Sequence, residues 1–326
     1  MESIREKEPA VKRRTLKTGL AFLVFAELCL VIGWLWMCPP ESAHVHAATP
    51  PVSAGGYTVR VMSFNILNGK SDFHVASWDK RRESVAKCIR EFGPDLLGTQ
   101  EMLGFQAEYL QGQLPGYGFV GVGRDDGKQK GERAGIFFRE DRFEKVQEGH
   151  FWLSETPDVA GSKSWLCLVP RMVSWVELQM REDPGQRIFF FNTHFDALSI
   201  QARKKSAVLL RRRIENVAGS KPVIAVGDFN TYAGSATYRA VLNGAEAPGL
   251  KLIDSYRFAY PEPAGNEGSY HLPAGVRMNR RLDWILYTPQ FRAQDAQIIN
   301  SKVDGRYPSD HFPVTATLYL ELEKGG

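Results

Sequence analysis

Four apolar runs in this chain stop on residues that can do chemistry, and a fifth begins just after such a group. Val61–Phe64 runs into Asn65, Asp95–Gln100 into Glu101, Ile188–Thr193 into His194, and Val223–Gly227 into Asp228, with Asn230 two positions on. Ser309-Asp310-His311 stands just ahead of Val314–Leu320. If these ends share a rim, they make one polar site in which the carboxylates of Glu101, Asp196, Asp228, Asp283 and Asp310 are in play. Crowded acids repel and raise one another's pKa unless a cation neutralises them. Oxygen donors without a Cys cluster select a hard cation, Mg²⁺ or Mn²⁺ ahead of Zn²⁺. Such a site suits phosphate chemistry. Asp228 and Asn230 would point the same way on an extended segment; an Asx turn closing the strand after Gly227 is the plainer reading of the same residues.

Strands and helices must position these groups, and the sequence supplies both. Tyr57–Phe64 is rich in β-formers, and Trp78–Phe92 places Val85, Ile89 and Phe92 at helical spacing before stopping at Gly93-Pro94. Ile188–Phe191 and Val223–Val226 are continuous apolar runs too short for helices, which predicts strands buried on both faces. Between them, Ser199–Val217 repeats Ala207, Leu210, Ile214 and Val217 down one helical stripe. The basic runs Arg203/Lys204/Lys205 and Arg211–Arg213 beside that stripe read as a solvated outer face, with a substrate track as the alternative. Trp284–Tyr287 and Val314–Leu320 supply two further strands, and Gly244–Gly268, rich in Pro, Gly and Ala, reads as part of a variable rim. The mixture predicts an α/β fold of several layers, because sheets apolar on both sides need cover. No repeat or composition shift interrupts residues 57–326, which read as one domain.

Taken in order, Phe64-Asn65, Gln100-Glu101, Asn192-Thr193-His194-Phe195-Asp196, Gly227-Asp228-Phe229-Asn230, Arg281-Leu282-Asp283-Trp284-Ile285 and Ser309-Asp310-His311 resemble the endonuclease/exonuclease/phosphatase superfamily. Phe151–Pro157 and Gly268–His271 resemble its bacterial branch. The resemblance spans roughly Tyr57 to Leu320 and implies a four-layer α/β sandwich, two mostly antiparallel sheets face to face with helices outside. It further implies a phosphoesterase dependent on Mg²⁺ or Mn²⁺, hydrolysing a phosphodiester or phosphomonoester by in-line attack of water. By the same resemblance Asn65 and Glu101 hold the metal, and Asp310 reaches it directly or through water. Asp228 is then the base, Asn230 orients the water or the phosphate, and His311, paired with Asp283, contacts the phosphoryl group. His194 contacts another phosphoryl oxygen or assists the leaving group. Arg171 meets substrate phosphate or braces a carboxylate inside the fold. The substrate class stays open among nucleic acid, nucleotide, phospholipid and sugar phosphate, and no DNA-gripping insertion is identifiable. A sphingomyelinase-like lipid phosphodiesterase and a catalytically silent binding module are the alternatives, and no protein partner is expected.

The amino terminus reads as an address. Leu20–Met37 is an apolar run of 18 positions broken only by Glu27, long enough for a helix to cross a ~30 Å hydrocarbon layer. Lys12, Arg13, Arg14 and Lys17 precede it, which puts tail 1–19 in the cytoplasm and everything after residue 38 on the exported side. Segment 20–38 is therefore expected to be a membrane anchor or a signal sequence, the latter cleaved after Ala47, and residues 39–56 a Pro/Ala-rich tether. The net charge of +4 is too mild for a strongly basic nucleic-acid sleeve, and 43% hydrophobic residues exclude a disordered chain. Cys29, Cys38, Cys88 and Cys167 form no CxxC, which excludes a zinc finger and a disulfide framework.

Overall fold

The computed structural model describes residues 55–71, 76–244, 247–272 and 275–321. All described residues belong to one compact unit within Ser42–Gly326. Tail 1–19, segment 20–38 and linker residues 39–54 lie outside them. Among the described residues no helix is long and apolar enough to cross a membrane.

The first sheet is assembled from β1 (Gly56–Asn65), β2 (Leu96–Met102), β3 (Tyr117–Val120), β4 (Arg133–Arg139), β13 (Phe291–Ile298) and β14 (Val314–Glu321), in the order β13-β14-β1-β2-β4-β3. The second contains β5 (Phe143–Trp152), β6 (Met172–Met180), β7 (Arg187–His194), β8 (Val223–Asp228), β9 (Ile253–Asp254) and β12 (Asp283–Tyr287), in the order β5-β6-β7-β8-β12-β9. A short hairpin joins β10 (His271–Leu272) to β11 (Val276–Arg277). Each six-stranded sheet has a single parallel pair, β1 with β2 and β7 with β8, and is otherwise antiparallel.

Those two parallel pairs gather the chemistry. A parallel pair needs a crossover, here helix α1 (Trp78–Phe92) and helix α3 (Ile200–Ala218), so both strands of each pair finish at the same edge. Asn65 thus pairs beside Gln100, next to Glu101, and His194 pairs with Asp228. Antiparallel neighbours bring their beginnings to that edge: Asp283 opens β12 opposite Asp228, and Val314 opens β14 opposite Ser63.

The sheets pack face to face over a central core in which Val59, Val61 and Ile136 meet Val176, Phe190 and Val226. Gly98 sits at a close approach, since a Cβ there would lie 2.3 Å from Cγ2 of Val226. Alternate residues of β1, Met62 and Phe64, face outward to α1 and α2 (Gly104–Gln113). On the other side Phe189, Phe191, Ala225 and Trp284 are covered by α3 and α4 (Ala236–Asn243). The order is therefore helix, sheet, sheet, helix. Just below the site, buried Asn192 locks the sheets together: its Nδ2 donates to Thr99 O and Gly135 O, both at 2.8 Å, and its Oδ1 accepts from Gln100 Nε2 at 2.7 Å.

Three expectations need correction. Arg211 is not on a solvated face; it is buried and donates to the carbonyls of Val241, Leu242, Ala247 and Leu250, tying α3 to the chain after α4. Gly244–Gly268 is not chiefly a rim, because Leu250 and Leu252 enter the outer core and Tyr256 and Tyr260, in and after α5 (Ser255–Ala259), enter the central one. Asn230 does not continue an extended segment: β8 ends at Asp228, and Asn230 takes a left-handed φ of 48°. Among the described residues Cys88 and Cys167 are free thiols.

Candidate active site

Asp228 is the buried hub of the rim. Its Oδ2 accepts from Asn65 Nδ2 at 3.1 Å and lies 3.4 Å from His194 Nε2 and 3.7 Å from His311 Nε2. Its Oδ1 accepts from the Asn230 backbone N–H at 2.9 Å. One oxygen therefore closes the Asx turn the sequence suggested, while the other faces the site. Burial, with the Asp283 carboxylate adding repulsion, pushes Asp228 up from 3.8 to about 7.

The two histidines are driven in opposite directions. His311 Nδ1 is 2.8 Å from Asp283 Oδ2. Burial opposes its charge, yet Asp283, Asp228 and that hydrogen bond outweigh burial and hold the ring well above the ordinary histidine pKa. His194 is depressed well below it, first by burial and then by the positive charges of Arg171, Arg124 and His311. Asn230 Nδ2 lies 2.9 Å from His194 Nε2 and donates to Phe195 O at 3.0 Å. A donating amide leaves the neutral ring's proton on Nδ1.

Asn65 bridges two acids, its Nδ2 donating to Glu101 Oε1 at 3.0 Å as well as to Asp228, while its Oδ1 accepts from Leu67 N at 3.0 Å. Glu101 is turned into the site by a bulge between Thr99 and Met102 and a left-handed φ of 60°, which is uncommon outside glycine. Its Oε2 accepts from Asn68 N at 3.0 Å. Asp310 is buried, accepts weakly from Ser309 Oγ at 3.3 Å, and follows the serine whose Oγ donates to Asn65 O at 2.7 Å. Asp196 stands apart from the other four carboxylates: its Oδ1 accepts from Leu198 N and Ser199 N, and its Oδ2 lies 3.8 Å from Arg171 Nε.

Arg171 faces Asp196, and it lines a small pocket of about 10 Å³, room for roughly one water, with Glu101, Arg124, Glu132 and His194. Its Nε and Nη1 are buried without a hydrogen-bond partner. Sequence reasoning missed the Arg124–Glu132 ion pair on this wall, and Asn68, whose Nδ2 donates to Glu132 at 2.7 Å. It also missed Arg81 of α1, which reaches the carbonyls of Ile66, Leu67 (2.6 Å) and Pro308 (3.1 Å) and so clamps the Asn65 and Asp310 loops together. The one signal for Arg124 and Glu132 is the turn-rich, charged run Gly121–Glu132, which composition alone does not tell from a solvated loop.

The donor set fits a hard divalent cation. It holds oxygens and imidazole without thiolate, Asp283 Oδ1 is buried without a partner, and Glu101 adds to the burial that raises Glu132. Ligand atoms of Asp228, Asp283 and His311 lie within 4.8 Å of one another and could also hold a metal ion. His311 and Asp283 are joined by the Nδ1–Oδ2 hydrogen bond, so the trio reads better as a charge pair beside a base.

The family model described as Endonuclease/Exonuclease/phosphatase family matches residues 62–311. A Bacteroides thetaiotaomicron protein of that description is 33% identical over 82% of this chain and all of its own, with a TM-score of 0.73. Its Bacteroides vulgatus counterpart is 32% identical over 81% of this chain and all of its own, with a TM-score of 0.72. A mannosyl-6-phosphatase of B. thetaiotaomicron is 32% identical over 80% of this chain and 99% of its own, with a TM-score of 0.67. No curated protein matches.

Proposed function

The chain belongs to the endonuclease/exonuclease/phosphatase family, and from that membership we propose that it is a divalent-metal-dependent hydrolase of phosphate esters, acting by in-line attack of a water that Asp228 deprotonates. The observation that carries the reading is the convergence of Asn65, Asn230, His194 and His311 on one buried carboxylate. An acid near pH 7 is matched to taking a proton from water at neutral pH. His311, held as imidazolium by Asp283, stabilises charge developing on the phosphoryl oxygens. His194, neutral and set against Asn230, positions that amide, and a substrate oxygen reaches Nε2 only by displacing it. Glu101 and Asn65 would hold Mg²⁺ or Mn²⁺ with Asp310 beside them, ligation by Asn65 requiring its amide to turn over. The cation supplies Lewis-acid stabilisation of the phosphoryl group when bound.

Arg171, whose buried Nη1 has no hydrogen-bond partner on the cleft wall, is the substrate-binding group. The mannosyl-6-phosphatase among the relatives supports a phosphomonoester of a small polar molecule as the substrate. The lipid phosphodiesterase reading draws its support from the apolar run Leu20–Met37, and with it goes a domain held on, or released from, the exported side of a membrane. A silent binding module is disfavoured because the base, its orienting groups and both histidines are all present. The test is turnover of p-nitrophenyl phosphate, hexose phosphates, bis(p-nitrophenyl) phosphate, DNA, RNA and phospholipids with Mg²⁺, Mn²⁺ or EDTA. No metal-dependent hydrolysis of any of them overturns the proposal, and preference for a diester or lipid overturns the monoester assignment.

A further inference from the structure

We propose that Leu166, Leu168, Leu198 and Ile200, an apolar rim beside the catalytic cleft, dock the domain on a lipid bilayer bearing anionic headgroups. Their exposures are 82%, 61%, 42% and 62%. They come from two segments bound to each other: Ser199 Oγ donates to Trp165 O at 2.8 Å, and the Asp196 carboxylate, which accepts from Leu198 N–H at 3.0 Å, adds to the burial that raises the Cys167 thiol. Asp196 in turn faces Arg171 on the cleft wall, which fixes the rim's place beside the site.

The loop holds its leucines outward by construction. Trp165 and Leu166 are consecutive left-handed residues, φ 58° and 67°, a conformation bulky side chains avoid unless their surroundings impose it. Trp165 Nε1 donates to Glu155 Oε1 at 3.1 Å and Lys163 Nζ to Leu168 O at 3.2 Å, which are such surroundings. Around the rim stand exposed Lys163, Lys204 and Lys205; of the neighbouring acids, Asp158 is paired with Arg213 and Glu155, itself exposed, accepts from Trp165 Nε1, which leaves three lysines against one unpaired carboxylate. Aliphatic tips within a basic collar match an acyl boundary beneath anionic headgroups. The exposed apolar area is on the order of a few hundred Å², short of the ~800 Å² per partner that a stable protein interface needs. A bilayer receiving Leu20–Met37 is also within range. The 18 residues from Cys38 to Gly55 can extend to roughly 60 Å, about twice the ~30 Å length of β1 that separates its start from the site edge.

The inference needs only lipid binding and stands apart from the reaction assigned above. Residues 55–326 suit the test, because relatives no longer than this domain are covered in full by their match to it. The probe is co-sedimentation with vesicles of phosphatidylcholine plus phosphatidylglycerol, against phosphatidylcholine alone. The domain should sediment with the anionic vesicles, and Leu166→Ser/Leu168→Ser/Ile200→Ser should lower partitioning on the order of tenfold or more with an unchanged melting curve. Leu166→Ser alone serves if the triple variant fails to fold. Wild-type protein left in the supernatant with both vesicles overturns the proposal. So does a variant that sediments like wild type, or a wild-type dimer that the variant abolishes without any vesicle binding.

Discussion

Replacing Asp228 by Asn tests the centre of the site. The amide keeps an oxygen to accept from Asn230 N and has nearly the same volume, so the turn that closes β8 survives. It cannot take a proton, and loss of a general base costs on the order of 10²–10⁴ in rate, about 3–5 kcal/mol of barrier. Stability should move the other way. The folded-state pKa of Asp228 is raised to about 7, so the fold favours the protonated form, and that contribution is complete below the unfolded pKa and lost as pH rises through 7. In EDTA, therefore, Asp228→Asn should melt higher than wild type at pH 8, with the gain shrinking towards pH 4. The wild-type kcat/KM profile should fall on the acid side below about pH 7, where Asp228 takes up its proton. Assays are steady-state kinetics on the best substrate and thermal melts across pH. Wild-type-like kcat in the variant removes Asp228 from the chemistry, and a lower Tm at pH 8 refutes the view of a buried carboxylate kept at a cost in stability.

Glu101→Gln should weaken metal affinity, with activity partly recovered by excess Mn²⁺; unchanged metal dependence contradicts its role as ligand. Arg81→Met strands the carbonyls of Ile66, Leu67 and Pro308, and should cost about 3–5 kcal/mol, a fall in Tm on the order of 10 °C; an unchanged melt shows that the clamp carries little. Gly98→Ala sets a methyl 2.3 Å from Val226 Cγ2 and should destabilise by roughly 1–3 kcal/mol in urea titrations, or else the sheets separate more easily than their packing implies. Mass spectrometry of the mature amino terminus after fractionation should find membrane-bound protein that keeps residues 1–47, or exported protein starting near Ala48. Full-length soluble cytoplasmic protein is the outcome against both.

Where sequence reading succeeded, a local physical cause stood behind each element. Trp78–Phe92 was legible as a helix because its apolar positions repeat and Gly93-Pro94 stops it; in the structure Gly93 adopts φ 60° and its N–H bonds Ile89 O at 2.8 Å. Tyr57–Phe64 was legible from its β-formers, and Ile188–Phe191 and Val223–Val226 were legible as strands because burial on both faces leaves no polar alternation to blur them. β5 escaped notice because it is a polar edge strand, Glu144–Glu148 exposed and its register broken between Lys145 and Gln147. Arg81, Arg124 and Arg211 escaped for a different reason. A buried guanidinium is set by carbonyls and carboxylates that only the tertiary fold assembles, and a helical stripe with arginines beside it looks the same whether they meet water or four carbonyl groups.

Backbone strain marks where the two surfaces of this domain differ from the rest of it. Of the six non-glycine residues with left-handed φ among the described residues, Leu67, Glu101 and Asn230 lie on the rim around Asp228, and Trp165 and Leu166 on the apolar loop. Each such residue costs of order 1–3 kcal/mol and persists only where its surroundings over-determine it. At the rim the over-determination is visible: Arg81 holds Leu67 O, the β2 bulge turns Glu101, and the Asp228 carboxylate with Phe195 O fixes Asn230. At the loop the bracing runs from Trp165 O through Ser199 to Asp196, and it keeps an 82% exposed leucine in solvent. A fold that only needed to close the chain between β5 and β6 would let Leu166 turn inward, so the strain there argues for a surface with work to do, as the strain at Glu101 does for the site.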